Sequence, residues 1–360
     1  FRGALDVRAT SINEEMKLAA VKAIAELAKE TIPEEVVEAY GEKSISFGKD
    51  QIIPKPLDPR LIYKVAPAVA KAAIKSKVAR QPIEDWEKYE HQLKKRLGLD
   101  NKLLRDITLK AQNSPKKVVF TEGDNIKILK AAQIAYEEGI ATPVLLGRKT
   151  RIIELMEEYA IELPEVEIVD PKGDEENERR EQYGQAFFEI RKRKGFTEYE
   201  AIQIMRERNY FGSMMVSEGD ADAMITGVTR GYRSCIKPAL SSVGLQKDVK
   251  VISGMYILNT KRGPLFLADT TINLNPTAEE LAEITVNVAK TIRKFQVNPR
   301  IALLSYSNFG SSPGEDAVKM GEAVKILHEK HPNIIVDGEV QANFALDSDM
   351  MNEKFSFSQI

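Results

Sequence analysis

The apolar positions along the chain change their spacing near Lys116. Before that point they repeat as one face of a helix. Met16, Leu18, Ala19, Ala20, Ala23, Ile24 and Leu27 follow Thr10, Ser11 and Asn13, whose side chains suit an N-cap. Pro54, Pro56 and Pro59 forbid a regular helix between Ser44 and Pro59, which reads as a loop. Ala66 to Ala79 is alanine-rich and helical, with Lys64, Lys71, Lys75 and Lys77 keeping it soluble. Glu84 to Arg96 is a charged amphipathic helix that holds Trp86, and Leu97 to Pro115 is a helical connection stopped by Asn113-Ser114-Pro115.

From Lys116 onward, short apolar runs of strand length end in small polar residues and give way to helical spacing. Val118-Val119-Phe120 leads to Thr121-Glu122-Gly123-Asp124, Pro143-Val144-Leu145-Leu146 ends at Gly147, and Glu167-Ile168-Val169 ends at Asp170-Pro171. Ala223-Met224-Ile225 runs into Thr226-Gly227-Val228-Thr229, and Leu265-Phe266-Leu267 into Ala268-Asp269-Thr270-Thr271. Ile301-Ala302-Leu303-Leu304 runs into Ser305-Tyr306-Ser307-Asn308, and Ile334-Ile335-Val336 into Asp337-Gly338-Glu339. Near-continuous apolar strands alternating with helices predict an α/β fold with a largely parallel sheet covered on both faces. Right-handed crossovers put each strand's C-terminal loop on one edge, where open α/β sheets bind ligands. The polar loops are therefore expected to converge on a shared rim.

A length of 360 residues corresponds to about two to three domains. With 43% hydrophobic and 29% charged residues the composition is globular, and the net charge of -2 gives no overall attraction for nucleic acid or an anionic membrane. Cys235, the single cysteine, excludes an intrachain disulfide and any multi-cysteine metal site. It reads as a packing residue rather than a nucleophile. His328 and His331 stand three apart with Pro332 directly after, which reads as a helix end rather than a zinc site. No apolar run approaches the roughly 18 residues of a membrane span, and no signal peptide is evident, so a cytoplasmic location is expected. A start at Phe1 and an end in the alternating run Phe355-Ser356-Phe357-Ser358 suggest an excerpt of a longer protein.

The groups expected on the rim are hydroxyls, glycines and backbone amides: Thr121, Gly123, Thr226, Gly227, Thr229, Thr270, Thr271, Ser305, Ser307, Asn308, Gly310, Ser311 and Ser312. Small residues let backbone N–H groups approach a ligand, and helix N-termini favour negative charge, so phosphate or another oxyanion suits them. Singly, each loop reads as well as a set of caps and turns. Cations lie near in sequence: Lys127, Arg230, Arg233, Lys237 and the run Arg191 to Lys194, which also fits a solvated helix face. Asp222, Asp269, Asp337 and Glu339 could orient a hydroxyl or hold a cation, or simply begin helices and loops. There is no G-x-G-x-x-G, no G-x-x-x-x-G-K-[ST], and no histidine placed to activate the Ser305 loop.

Several of these stretches resemble one family closely. Glu122 to Ala132, Glu189-Ile190-Arg191-Lys192-Arg193-Lys194-Gly195, Gly219-Asp220-Ala221-Asp222-Ala223, Leu304-Ser305-Tyr306-Ser307 and Asp337-Gly338-Glu339-Val340-Gln341 are similar to phosphotransacetylases, a resemblance that runs from Lys116 to Leu346. The opening Phe1-Arg2-Gly3-Ala4-Leu5-Asp6-Val7-Arg8-Ala9 and Ile53-Pro54-Lys55-Pro56-Leu57-Asp58-Pro59-Arg60 look like the end of a bacterial malic enzyme domain. The combination resembles the hybrid NADP-dependent malic enzymes.

The resemblance implies a helical remnant of the NAD(P)-binding domain with linker helices over 1–97 and a two-subdomain phosphotransacetylase-like fold over 98–246 and 247–360, its C-terminal segment missing. It implies malate oxidation with NADP and a divalent metal, Mg or Mn, upstream of this chain, no catalytic residue within it, and acetyl-CoA as an allosteric inhibitor bound here. The ligand set it implies, with the rim residues, is Lys127, Arg191, Thr226, Gly227, Thr229, Arg230, Lys237, Ser305, Ser307 and Asn308. Family arginines correspond to Arg191, which is kept, and to Lys127 and Lys237; lysine keeps the charge but loses the bidentate fork. A homo-oligomer through the phosphotransacetylase-like domain is expected, with a CoA ester as the partner molecule. The alternatives are an active phosphate acetyltransferase and a purely structural dimerisation module.

Overall fold

The computed structural model describes residues 1–41, 47–49, 51–96, 102–260 and 263–360. The chain divides into two compact units, Phe1–Gly244 and Leu245–Ile360.

The first unit opens with helices Arg2–Asp6, Glu14–Lys29, Glu34–Ala39, Arg60–Lys75 and Trp86–Arg96. Asn13 caps the second of these, its Oδ1 accepting from the Met16 N–H at 3.0 Å. Met16, Ala66, Val69, Ala70, Ala73, Tyr89 and Leu93 share one core cluster. Leu18, expected on the buried face, is instead 54% exposed. At about 100° per residue it stands roughly 200° from Met16, whereas Ala23 and Leu27 return to Met16's side. The alanine-rich helix begins earlier than its alanines suggest, directly after Pro59. Part of the expected loop between Ser44 and Pro59, and residues 97–101 of the expected helical connection, lie outside the described residues; helix Lys102–Asn113 follows.

Four parallel strands come next: β1 (Lys116–Phe120), β2 (Ala141–Leu146), β3 (Glu167–Val169) and β4 (Ala223–Ile225), in the order β3-β2-β1-β4. Neighbouring residues feed opposite faces. Val119, Val144 and Leu146 pack with Tyr183, Phe187, Phe211 and Met214, while Phe120 and Leu145 pack with Ile128, Leu129, Ile152 and Leu155. Both faces are therefore covered, and every C-terminal loop leaves the same edge. On one face helix Asn177–Arg191 meets helix Glu198–Ile204 at Gly184, where a Cβ would stand 2.6 Å from the Cα of Ile202.

The second unit holds two separate two-stranded sheets. β7 (Arg300–Leu304) and β8 (Ile335–Val340) are parallel, with helices Ala278–Lys294 and Glu315–Lys330 packed beside them around Leu303, Val324, Leu327 and Val336. β8 runs on through Asp337-Gly338-Glu339, which the sequence pattern assigns to a loop. The other sheet is an antiparallel hairpin of β5 (Met255–Thr260) and β6 (Gly263–Ala268). β5 is not among the strands expected from the sequence, although Met255-Tyr256-Ile257-Leu258 is an apolar run; Tyr256, Ile257 and Leu258 are all substantially exposed. His328 bonds the Val336 carbonyl through its ring Nε2 at 2.8 Å, near the end of its helix. Among the described residues no helix is long and apolar enough to cross a membrane.

The helix crossing at Gly184 yields a direct test. Gly184→Ala places a methyl against backbone, which cannot rotate aside, and overpacking of this kind costs about 1–3 kcal/mol. Urea unfolding of the variant is expected to show that loss at unchanged m-value; stability equal to the parent would contradict the packing.

Candidate functional site

One carboxylate joins the tips of β1 and β4. After Phe120 the chain turns into helix Ile126–Glu137, whose Asn125 cap accepts from the Lys127 N–H at 2.9 Å. The Gly123 N–H donates to the Leu146 carbonyl at 2.9 Å, which ties the turn to β2. Glu122, 2% exposed, reaches the loop after β4. Its Oε1 accepts from the N–H groups of Gly227 (2.8 Å) and Val228 (3.0 Å), and its Oε2 from the Thr229 N–H (2.7 Å) and the Thr229 hydroxyl. Gly227 has φ +112°, a conformation that favours glycine and turns these successive N–H groups toward one point. Burial pushes the Glu122 carboxyl up, but the Thr229 hydroxyl and the N–H groups of Gly227, Thr229 and Val228 outweigh it. The group is held below the usual glutamate range.

This geometry changes the meaning of the loop. The backbone donors at Gly227 and Thr229, read from sequence as offered to an oxyanion, serve a carboxylate of the chain itself. Thr226 turns its hydroxyl to Asn209 Oδ1 at 2.9 Å, and Asn209, fully buried, donates from Nδ2 to the Ser234 carbonyl at 3.1 Å. Asn209 is fixed in turn by Glu207, which caps helix Arg208–Ser217 by accepting from the N–H groups of Asn209 and Tyr210. Arg208 grips Asp124 with both terminal nitrogens, at 2.6 and 3.0 Å. That hydrogen-bonded guanidinium, working against desolvation, holds Asp124 below the usual aspartate range.

The cations expected around a ligand take different positions. Lys127 is exposed in the first turn after β1, and Lys237 is exposed on helix Tyr232–Ser242, which follows the Gly227 loop. Arg230 comes within 3.7 Å of Glu207. Arg191 donates to the carbonyls of Ser241 and Leu240 at 2.8 and 2.7 Å. Asp222 belongs elsewhere: it accepts from the Lys117 N–H at 2.9 Å, at the start of β1 and β4 and so at the edge opposite the loops.

The second unit repeats the motif with its own residues. Glu339 Oε1 accepts from the Ser307 hydroxyl at 3.0 Å and from the Gly310 N–H. Ser307, 1% exposed, accepts in turn from the Ser312 N–H at 3.0 Å. Asn308 Oδ1 accepts from the Gln341 N–H at 2.8 Å, and the Ser305 N–H continues the ladder to the Val340 carbonyl at 3.0 Å. Asp269, directly after β6, ties its loop to the segment before β5, accepting from the N–H groups of Asn273 and Gly254, both at 2.7 Å. Asp337 accepts from the Ser358 hydroxyl at 2.7 Å. Cys235 is buried beside Gly227, as a packing residue stands. Among the described residues no three histidine, cysteine or acidic side chains group to hold a metal.

Glu207, Arg208 and Asn209 are functional neighbours that sequence reading passes over. The only local signal is Glu207 standing three residues ahead of the apolar stretch that begins at Tyr210, as an N-cap does. Glu122 carries a clearer one, a carboxylate set between an apolar strand and Gly123, although its partner loop lies more than a hundred residues on.

Glu122 makes a testable anchor. Glu122→Gln replaces one acceptor oxygen with an NH2 group that faces N–H donors, an expected loss of ~2–3 kcal/mol at neutral pH. A carboxyl held below its unfolded value stabilises fully above the ordinary glutamate range and loses that contribution as pH falls through the lowered value. The stability gap between parent and variant in urea unfolding should therefore shrink as pH falls below the ordinary glutamate range and through the lowered value. An undiminished gap there would refute the anchor.

Comparison with known proteins agrees with this architecture. The family model described as phosphate acetyl/butaryl transferase matches residues 102–360. The NADP-dependent malic enzyme of Escherichia coli is 41% identical over 364 residues, covering 100% of this chain and 48% of that protein. The chain thus spans about half the length of the malic enzymes it matches. The phosphate acetyltransferase of Clostridium acetobutylicum is 32% identical over 265 residues, covering 72% of this chain and 79% of its own. Among solved structures, a phosphotransacetylase from Streptococcus pyogenes superposes with a TM-score of 0.64 at 30% identity, over 71% of this chain and 77% of that one. The EutD phosphotransacetylase from Staphylococcus aureus gives 0.63 at 29% identity, over 72% and 78%. From Lys102 to Ile360, the chain belongs to the phosphate acetyl/butaryl transferase family.

Proposed function

We propose that the chain is the regulatory part of an NADP-dependent malic enzyme and binds acetyl-CoA as an allosteric inhibitor. The observation that carries this reading is that similarity to malic enzymes extends over all of the chain, including residues 1–101, which the family model leaves unmatched. On this reading the helical segment 1–97 continues a malic enzyme domain, and 98–246 and 247–360 are the two parts of an acyl-CoA-binding module through which the protein assembles as a homo-oligomer in the cytoplasm. NADP and a magnesium or manganese ion serve the rest of the protein, which decarboxylates malate oxidatively to pyruvate and CO2. No nucleic acid and no membrane takes part.

The chemistry of the strand tips supports an anionic ligand. Lys127, Arg230 and Lys237 stand on elements that leave the same sheet edge, beside Thr226, Gly227 and Thr229, and Ser305, Ser307 and Asn308 form the corresponding loop of the second unit. Lysine at 127 and 237 attracts phosphate without the two-pronged geometry of arginine, a set suited to binding more than to steering a reaction. A second reading, an active phosphate acetyltransferase that converts acetyl-CoA and phosphate to acetyl phosphate and CoA, draws on membership of the family.

The test uses the full-length protein that contains this chain. Acetyl-CoA is expected to inhibit malate oxidation about 5- to 150-fold, the range of ordinary allosteric coupling. Deleting everything after about Lys95 is expected to abolish the inhibition while oxidation persists. Inhibition that survives the deletion would overturn the proposal, and acetyl phosphate formation by the intact protein would favour the second reading.

A further inference from the structure

The basic helix Tyr232–Ser242 is held at both ends. Near its start, Asn209 bridges the Thr226 hydroxyl and the Ser234 carbonyl, and Glu122 fixes the preceding loop. At its finish, the Nε and one terminal nitrogen of Arg191 donate to the carbonyls of Ser241 and Leu240 at 2.8 and 2.7 Å. Carbonyls in a last turn have no partner within their own helix, and together they form the negative end of its dipole. A guanidinium fork matches two successive carbonyls and brings the compensating charge.

Arg191 cannot drift with what it holds. It ends helix Asn177–Arg191, whose Tyr183 and Phe187 are buried in the core and whose Gly184 abuts the backbone of Ile202. The helix it grips exposes Arg233 and Lys237 and is entered through Arg230. Its first turn contains no acidic residue and its Gly231 cap offers no side chain.

We infer that Arg191 is a positioning residue. Its guanidinium secures the last turn of helix Tyr232–Ser242, and so sets where Arg230, Arg233 and Lys237 stand, rather than meeting the ligand itself. Of this inference, the effect on affinity rests on the acetyl-CoA reading; the effect on the ligand-free helix does not.

The experiment compares the chain with Arg191→Ala, Arg191→Lys and, as a control for neighbouring positive charge, Lys194→Ala. Amide exchange is read by mass spectrometry without ligand, and acetyl-CoA affinity by calorimetry. In Arg191→Ala the amides of 239–244 are expected to exchange about tenfold faster and acetyl-CoA to bind about tenfold more weakly, the scale of one charged hydrogen bond. Arg191→Lys, which keeps the charge at the helix end but loses the two-pronged contact, is expected to recover part of both effects, and Lys194→Ala to show neither. Weakened binding with unchanged exchange would make Arg191 a direct contact and overturn the inference. Faster exchange with unchanged affinity would make it merely structural and overturn it equally. An unaltered chain that binds no acetyl-CoA would overturn the acetyl-CoA reading, and with it the affinity effect, a result distinct from either of those.

Discussion

The strand-tip loops of this protein depend on carboxylates that give up water for the chain's own N–H groups. A parallel sheet delivers all its C-terminal loops to one edge, where backbone donors emerge with no strand to pair them. Glu122 gathers three from the loop after β4, and Glu339 the Gly310 N–H with the Ser307 hydroxyl; beyond the antiparallel pair, Asp269 likewise takes the N–H groups of Gly254 and Asn273. Each arrangement compensates for desolvating a charge by surrounding it with donors. For both Glu122 and Asp269 the donors outweigh burial, since each is held below its ordinary range. The loops are therefore built around internal anions, and an external one must be met by side chains at their margins.

That distinction bears on how much the sequence discloses. Strands β1 to β4 and their shared edge are legible because near-continuous apolar runs bounded by Gly123, Gly147 and Thr226 leave few topologies open. The Asn13 cap is legible because capping is a matter of three residues. The destination of a backbone N–H is not. Gly227 and Thr229 look like free donors until Glu122, remote in sequence, is folded against them. Asp222 and Glu339 exchange expectations for the same reason: one sits where a strand begins, the other inside a strand that outlasts its apolar run. β5 carries only the short apolar run Met255-Tyr256-Ile257-Leu258 between Gly254 and Asn259, with no alternation to mark a buried side.

Family membership and the local chemistry bear on different parts of the question. The family accounts for the architecture of residues 102–360, while residues 1–101 are matched through the malic enzymes. Within the family domain, Lys127 and Lys237 carry charge without a planar fork. The forks of Arg191 and Arg208 are engaged by the chain's own carbonyls and by Asp124. Those two forks are directed inward, while Lys127, Arg230, Arg233 and Lys237 are exposed.

The span between Glu122 and Gly227 also sets a sequence of events during synthesis. The two are 105 residues apart, so the contact closes a long loop and belongs to the slow, non-local part of assembly. While the chain emerges, β1 can pair with β2, whereas Glu122 keeps its hydration shell until β4 docks along the other side of β1. The strand edge and the anion mature together, which makes the incoming β4 loop the last piece of its sheet edge to become rigid.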